Sequence, residues 1–386
     1  MNFGIKTEDL TVLLQDGFTK RFALFYLNQA KEDYKSGLWP EEQIKWAHSH
    51  GFLADKIAAY DLNDDNVDKY LSDYDYYRLW PLNNPYRIWI NDKLTLKYIL
   101  PDNLFGAYLP KYYYYTEERG CLYCLDCDQR KYAMDSYGLL SLLKDKKKLA
   151  MKLVNGTASQ NFYKLSFENN DICINSIPCC ETDFLRFIEM HPHYCITEYL
   201  EPHPEMARIH DKIHTLRLMV INEHGNDPRI VHGYLRFGTN EHGEANHCNH
   251  SADCKANYDF CARINVENGV FGDSVLAYQN KIIHQDFHPD TKAKASGIIP
   301  GWENVKKQIL NMSRYLFQAE YCGFDVGITV DGFKIMEINS HQGIGFLQLF
   351  DSLYDIPFSK QYFTERISKL NSMSLEGKTA RNGILR

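Results

Sequence analysis

Residues 324–343 read FDVGITVDGFKIMEINSHQG, and the way this string folds decides the architecture around it. Two apolar runs flank Asp331-Gly332, a dipeptide that favours a tight hairpin turn. The first run carries one carboxylate, Asp325, and the second carries Glu337 and Asn339. Residues two apart in a strand share a face, so Glu337 and Asn339 are expected to point the same way, alongside Phe333 and Ile335. A bare two-residue turn pairs Val330 with Phe333 and leaves Asp325 opposite Ile338, facing away from Glu337. A three-residue loop over 330–332, with Gly332 left-handed, pairs Asp325 with Glu337 instead and gathers three oxygen ligands. Two carboxylates and an amide oxygen suit Mg²⁺, which takes its remaining ligands from water and substrate phosphates. An isolated Glu-x-Asn is most often the wet face of an ordinary hairpin. The complete string favours chemistry on a magnesium-bound nucleotide.

The chain has 386 residues, enough for two or three domains with a large core. Its net charge of −7 gives no global basic footprint for nucleic acid or an anionic membrane. No apolar run reaches the roughly 18 residues of a membrane-spanning helix, and the first residues lack a signal-peptide layout, so a cytoplasmic location is expected. Eleven cysteines without an export signal read as thiols rather than a disulfide framework. Cys121, Cys124 and Cys127 form C-x₂-C-x₂-C, which can hold zinc or part of an iron–sulfur cluster, but no second CxxC accompanies it and unligated thiols are the expectation. A second His/Cys-rich patch, His242, His247, Cys248, His250 and Cys254, fits no zinc finger and reads as a polar active-site loop.

Residues 1–90 are expected to be mostly helical. The segments at 9–15, 20–34, 41–52 and 66–80 carry apolar residues at three- and four-residue intervals. Pro40-Glu41-Glu42 suits a helix start and Gly51 a stop. Pro81 and Pro85 then break the pattern. From 91 onward short strands alternate with helices: 149–154, 161–167, 194–200, 214–222 and 230–237 read as strands, 184–190 as a short helix and 302–321 as a long one. Residues 112–115, four tyrosines, read as a packed aromatic strand. The domain expectation is a helical domain over 1–90, a small α+β lid domain over 91–200, a larger one with the metal site over 201–372, and a basic, frayed tail over 373–386.

A nucleotide's phosphates need cations. Lys152 lies inside an apolar strand beside the small, polar loop 155–160, and Arg217 and Arg236 lie inside apolar strands too. A cation there is costly to bury unless it is paired or meets an anion. Singly each could be an outward-facing surface residue; beside the Asp/Glu/Asn set, anion binding is the better reading. Neither GxxxxGK[ST] nor GxGxxG occurs, which disfavours the P-loop, Rossmann and kinase-loop readings.

The order of these pieces resembles the ATP-grasp superfamily, most closely the sugar-transfer-associated ATP-grasp group, over about 91–350. Lys93 in NDKLTLKYIL corresponds to the family's lysine before its central region, and Lys152 in LAMKLVNGTASQNFYKL to the nucleotide lysine of the lid. ITEYLEPHPEM is similar to the hinge segment: the resemblance implies that Glu198 and the backbone of Tyr199 and Leu200 meet the adenine, and that Glu201 meets the ribose. HTLRLMV and GYLRFG supply Arg217 and Arg236, similar to phosphate-side arginines. HPDTKAKASGIIPGW resembles a characteristic loop of this group, and Asp325, Glu337 and Asn339 are the implied Mg²⁺ ligands. The lid loop departs from the family in lacking its glycines, and 246–260 has no Gly-Gly.

The resemblance implies two α+β subdomains clasping ATP with two Mg²⁺ ions, Mn²⁺ being an alternative, and a carboxylate–amine ligase acting through an acyl phosphate. Its substrates would be small carboxylates and amines, sugar-linked ones included, in cell-surface polysaccharide or related biosynthesis, with glycosyltransferases as pathway partners. A kinase on the same fold and a silent nucleotide- or metal-binding scaffold are the alternatives. His284, His288 and Asp290, or His341 and Gln342, are candidates for an acceptor pocket, while HPD equally reads as a structural turn.

Overall fold

The structure, a computed structural model, describes residues 7–156, 162–240 and 258–382. The His/Cys patch of 242–254 and most of the loop 155–160 therefore lie outside the described residues. The chain is α+β, with two antiparallel sheets and a helical N-terminal part.

Helices occupy Thr7–Gln15, Lys20–Ser36, Glu41–Ser49, Asp55–Ala59 and Asp73–Arg78. Thr19 caps the second and Pro40 precedes the third. The helix expected over 66–80 is divided. Ser72 accepts a hydrogen bond from the Asp75 N–H and starts a new helix there, leaving only a 3₁₀ turn at Val67–Lys69 before it. After Pro81 and Pro85, helices Arg87–Asn91, Lys93–Ile99 and Asp102–Phe105 continue the helical part before the first strand. Asp92 caps the helix that opens with Lys93.

The first sheet contains β1 (Tyr112–Thr116), β2 (Leu122–Cys124), β3 (Lys148–Leu153), β4 (Phe162–Glu168), β5 (Asp171–Ile174), β6 (Ile177–Cys179) and β7 (Tyr194–Glu198), in the order β2-β1-β7-β3-β4-β5-β6. Alternation divides β3 cleanly. Leu149 and Met151 pack with Ile196 against Leu139 and Leu143 of helix Ser136–Lys146 and Phe184 and Ile188 of helix Glu181–Glu189, so Ala150 and Lys152 face the other way. Cys124 and Cys127 are joined as a disulfide, contrary to the expectation of thiols, while Cys121 is free and exposed. The reason is local: Leu125 and Asp126 donate back to the carbonyls of Tyr113 and Tyr112, closing a turn that brings the two cysteines together.

The second sheet contains β8 (Thr215–Ile221), β9 (Arg229–Arg236), β10 (Tyr258–Ile264), β11 (Val270–Tyr278), β12 (Ile282–His284), β13 (Gly297–Ile298), β14 (Tyr321–Thr329) and β15 (Gly332–Asn339), in the order β12-β11-β10-β9-β8-β14-β15 with β13 on β11. One face, with Leu216, Leu218, Phe324 and Val326, packs on Trp302, Val305, Ile309 and Met312 of helix Trp302–Tyr315. The other, with Met219, Ile221 and Tyr321, packs on Tyr362 and Phe363 of helix Pro357–Ser372 and on Leu71 and Tyr76.

Two expectations fail here. The helix from Trp302 ends at Tyr315, not Tyr321. Ala319 donates to the Leu316 carbonyl, a turn that keeps both side chains in the core while freeing Tyr321 to begin β14. Nor is the C-terminal segment a frayed tail. Residues Leu375–Asn382 form a helix, and Arg381 donates to the carbonyls of Leu79, Gly17 and Arg78, tying it to the N-terminal helices.

Candidate functional site

The β14–β15 hairpin reaches the expected pairing by an unexpected route. Its loop is two residues, Val330-Asp331, with Thr329 opposite Gly332, Ile328 opposite Phe333 and Val326 opposite Ile335. Continued, that register would set Asp325 opposite Met336. A bulge between Asp325 and Val326 on one strand and Glu337 and Ile335 on the other absorbs Met336, and Asp325 then faces Glu337 and Gly323 faces Asn339. One extra residue reverses the side-chain parity of a strand. Phe333 and Ile335 therefore point into the core with Ile338, and Glu337 and Asn339 point to the opposite face with Asp325, not alongside Phe333 and Ile335 as expected. Gly332, at φ 116°, supplies the left-handed position the turn requires.

Asp325 is also the cross-strand partner of Arg217. The guanidinium grips both carboxylate oxygens, Nη2 at 2.9 Å from Oδ2 and Nε on Oδ1, and the Asn339 amide lies 3.3 Å from Oδ2. Burial opposes the charge on Arg217, but the Asp325 carboxylate outweighs it and raises the guanidinium pKa. With side chains only 14% and 13% exposed, breaking this pair leaves a charge buried alone. Arg217→Met is expected to destabilise the protein by about 3–5 kcal/mol, read as a lower thermal midpoint; Arg229→Met, on an exposed pair, is expected to cost under about 1 kcal/mol.

Lys93 stands on the other side of the carboxylates, its Nζ 3.3 Å from Glu337 Oε2 and 3.0 Å from the Gly156 carbonyl. Lys152 extends from β3 between Cys195 and Phe162, its strand neighbours. Burial, and then the charge of Lys93, lower its pKa to about 8. Cys195 beside it is held as the neutral thiol, its pKa raised to about 12 by burial and by Asp92. Arg236 comes in from β9, with Nη1 3.6 Å from Asp259 Oδ1.

These groups converge on one cavity between the two sheets. Lys93, Lys152, Glu198, Tyr199, Leu200, Arg236, Asp325 and Glu337 line it. Glu198 accepts from the Lys111 N–H at 2.9 Å and lies 3.5 Å from Lys334 Nζ, which fixes the end of β7 where the strand gives way to Tyr199 and Leu200. Arg217 and Asn339 stand behind Asp325 rather than in the lining. Glu201 is not drawn in: its side chain is exposed and pairs with Lys148 at 3.0 Å. Sequence reasoning missed Ala150, Phe162, Ile213 and Met336, which add apolar walls. Ala150 was recoverable, being two residues before Lys152 on one strand face; Met336 was not, because the expected strand set Glu337 on the face of Phe333 and Ile335 and Met336 on the other.

His288 is buried, donates from Nε2 to the Gly238 carbonyl at 2.9 Å and accepts the Asp290 N–H at Nδ1 at 3.2 Å, so HPD is a structural turn. His341 stacks on Tyr76 with ring centroids 4.1 Å apart, and Gln342 is buried; neither lines the cavity.

The donor set fits a hard cation. Asp325, Glu337 and the Asn339 amide are brought together on one face, and the carboxylates retain lone pairs beyond those taken by Arg217 and Lys93. Among the described residues no group of three or more His, Cys, Asp or Glu side chains could hold a metal by itself, so a cation here draws on Asn339 and on ligand oxygens. Lys93, Lys152 and Arg236 line the cavity with Asp325 and Glu337, and Ala150, Ile213 and Met336 add apolar lining.

The family model of sugar-transfer associated ATP-grasp proteins matches residues 187–354, which include β7, Arg217, Arg236 and the β14–β15 hairpin. No curated protein matches the sequence. Solved structures similar to this chain include the ATP-grasp ligase PsnB complexed with minimal precursor, 13% identical over 74% of this chain and 63% of that one, at a TM-score of 0.41. Others are the D-alanine–D-alanine ligase of Bacillus anthracis, 11% identical over 75% and 69% at 0.35, and a RiPP-associated ATP-grasp ligase of Chryseobacterium gregarium with ADP and a leader and core peptide, 12% identical over 80% and 72% at 0.35. The chain spans 63% and 61% of the length of the two PsnB structures it matches. Likenesses this distant carry no argument about what the chain acts on. Over 187–354, a little under half of the chain, the sequence is similar to the sugar-transfer associated group of ATP-grasp proteins.

Proposed function

We propose that this protein is an ATP-dependent ligase that joins a carboxylate to an amine. The observation that carries the reading is one cavity lined by Asp325 and Glu337 together with Lys93, Lys152 and Arg236 and by the apolar Ala150, Leu200, Ile213 and Met336, with Asn339 beside Asp325. A purine fits between Ala150, Leu200, Ile213 and Met336 beside the backbone of Tyr199 and Leu200, and the triphosphate then runs toward the cations.

A carboxylate is a poor electrophile, because resonance and charge protect its carbon. In the proposed reaction a carboxylate oxygen attacks the γ-phosphorus, the bond to the β-phosphate oxygen breaks, and ADP leaves from an acyl phosphate. The amine nitrogen then attacks the carbonyl carbon, phosphate departs, and the amine gives up a proton as the amide forms. Asp325, Glu337 and Asn339 would hold Mg²⁺, one ion or two, which would supply neutralisation of phosphate charge. Lys152 and Lys93 bind the phosphates as charge-assisted donors. Arg236 faces the charge that develops on the transferred group. Arg217, spent on Asp325, orients the metal ligand. Exclusion of water from the cavity protects the acyl phosphate, and holding both reactants together supplies up to roughly 7–11 kcal/mol. Substrates of this class, sugar-linked ones included, and a place in cell-surface polysaccharide biosynthesis belong to the same proposal.

The test is ADP release with Mg²⁺ and pools of amino acids, amino sugars and uronic acids. Release that requires both a carboxylate and an amine supports the ligase. Release with a hydroxyl acceptor and no amine supports a kinase instead, and ATP binding without turnover in any pool supports a scaffold.

A further inference from the structure

We infer that Asn83 and Asn91, in the helical N-terminal part, are positioning residues for the proposed metal site; the inference rests on the nucleotide reading above. Among the described residues β15 is an edge strand of its sheet, with no strand on one of its sides, and it carries a bulge beside Glu337. An edge strand with a bulge is where a sheet deforms most readily. The ligand geometry therefore depends on what restrains the two ends of the hairpin away from the turn.

Both ends are held by asparagine side chains. β14 begins at Tyr321, beyond the last hairpin pair, Gly323 with Asn339. There the Asn83 carboxamide takes the next rung: the Tyr321 N–H donates to Oδ1 at 3.0 Å, and Nδ2 donates to the Tyr321 carbonyl and lies 3.4 Å from the Ser340 carbonyl. A side-chain amide is the one neutral group that can reproduce both halves of a peptide rung. Asn83 is only 6% exposed and sits at φ 60°, a left-handed position that asparagine tolerates better than most residues. Asn91 secures the other end: the Ser340 N–H donates to Oδ1 at 3.0 Å and Nδ2 donates to Ser340 Oγ at 2.9 Å. Ser340 directly follows Asn339. Tyr76 adds a bond to the Gln342 carbonyl and lies 3.0 Å from the Tyr321 hydroxyl. Neither asparagine lines the cavity; each acts through the backbone that carries Asp325, Glu337 and Asn339.

The roles differ in a testable way. Ser340 Oγ–H can donate to a carboxylate as well as accept from an amide, so Asn91→Asp keeps both contacts. The Tyr321 and Ser340 carbonyls can only accept, so Asn83→Asp loses both contacts that Nδ2 makes. The experiment is calorimetric titration of ATP into the full-length protein across a Mg²⁺ series, for wild type, Asn83→Ala, Asn83→Asp, Asn91→Ala and Asn91→Asp. Near-ultraviolet dichroism selects folded samples. The expected result is a five- to tenfold rise in the Mg²⁺ concentration that half-saturates tight ATP binding in Asn83→Ala, Asn83→Asp and Asn91→Ala, with metal-free ATP affinity within twofold of wild type and near recovery in Asn91→Asp. Folded alanine variants with an unchanged Mg²⁺ dependence overturn the inference and leave the ligase reading standing. A wild type with no Mg²⁺-dependent ATP binding overturns both.

Discussion

Glu337→Gln is expected to cut ATP turnover by at least roughly a thousandfold while the protein stays folded. Glutamine keeps the volume and one oxygen of glutamate but removes the charge. In the folded protein that charge faces Asp325 across the hairpin and Lys93 Nζ at 3.3 Å. A metal-bridging carboxylate contributes several kilocalories of charge stabilisation in a phosphoryl transfer, and about 4 kcal/mol corresponds to a thousandfold in rate. The loss should fall on kcat rather than on KM for ATP, because the apolar walls and Lys152 are untouched. Steady-state ADP release at saturating Mg²⁺ is the measurement. Turnover within tenfold of wild type would remove Glu337 from the machinery. Asn339→Ala, which removes a neutral ligand, is expected to cost less.

The convergence of Asp325, Glu337 and Asn339 was legible in the sequence because strand periodicity and a turn dipeptide constrain residues only a few positions apart. The pairing of Asp325 with Glu337 was anticipated, yet through a three-residue loop, when the chain uses a two-residue turn and a bulge at Met336. Nothing local announces such a bulge: Ile335-Met336-Glu337 contains no glycine. It exists because Phe333, Ile335 and Ile338 must all reach one core while Glu337 meets Asp325, and no unbroken strand satisfies both. Arg217 was read as a phosphate-side arginine because its strand position was visible and its partner was not; the register of β8 on β14, set by residues more than 100 apart, spends it on Asp325. Long-range pairing also hid the C-terminal helix, whose Arg381 finds its carbonyls near Gly17 and Leu79. Lys93 and Lys152, remote in sequence, could be joined only by the order of motifs, since no spacing rule connects a helix start to a lid strand.

Lys152→Met is expected to move stability and nucleotide binding in opposite directions. The lysine is partly buried beside another cation, and desolvation and that charge lower its pKa from 10.5 to about 8. In the unfolded chain it returns to its ordinary value. Between pH 8 and about 10.4 the unfolded state therefore holds more protons than the folded one, and stability rises with pH across that window. Below pH 8 the folded protein carries the full penalty, on the order of 3 kcal/mol at 1.36 kcal/mol per unit, and methionine removes it without a cavity. The variant should thus melt several degrees higher at pH 7. ATP binds the protonated lysine, so wild-type affinity should hold up to pH 8 and then fall, at most tenfold per unit, until the pKa of the bound form is reached. Loss of a charge-assisted contact worth about 1.5–3 kcal/mol weakens the variant by roughly 10- to 150-fold at pH 7 and flattens that slope. Melting curves and ATP titrations between pH 6.5 and 9.5 read both effects. A variant that melts lower, or retains the alkaline fall in affinity, would mean that the cation serves the fold rather than the phosphates. Higher stability with a lost slope places the strain of a partly buried, unneutralised lysine in the service of an anionic ligand.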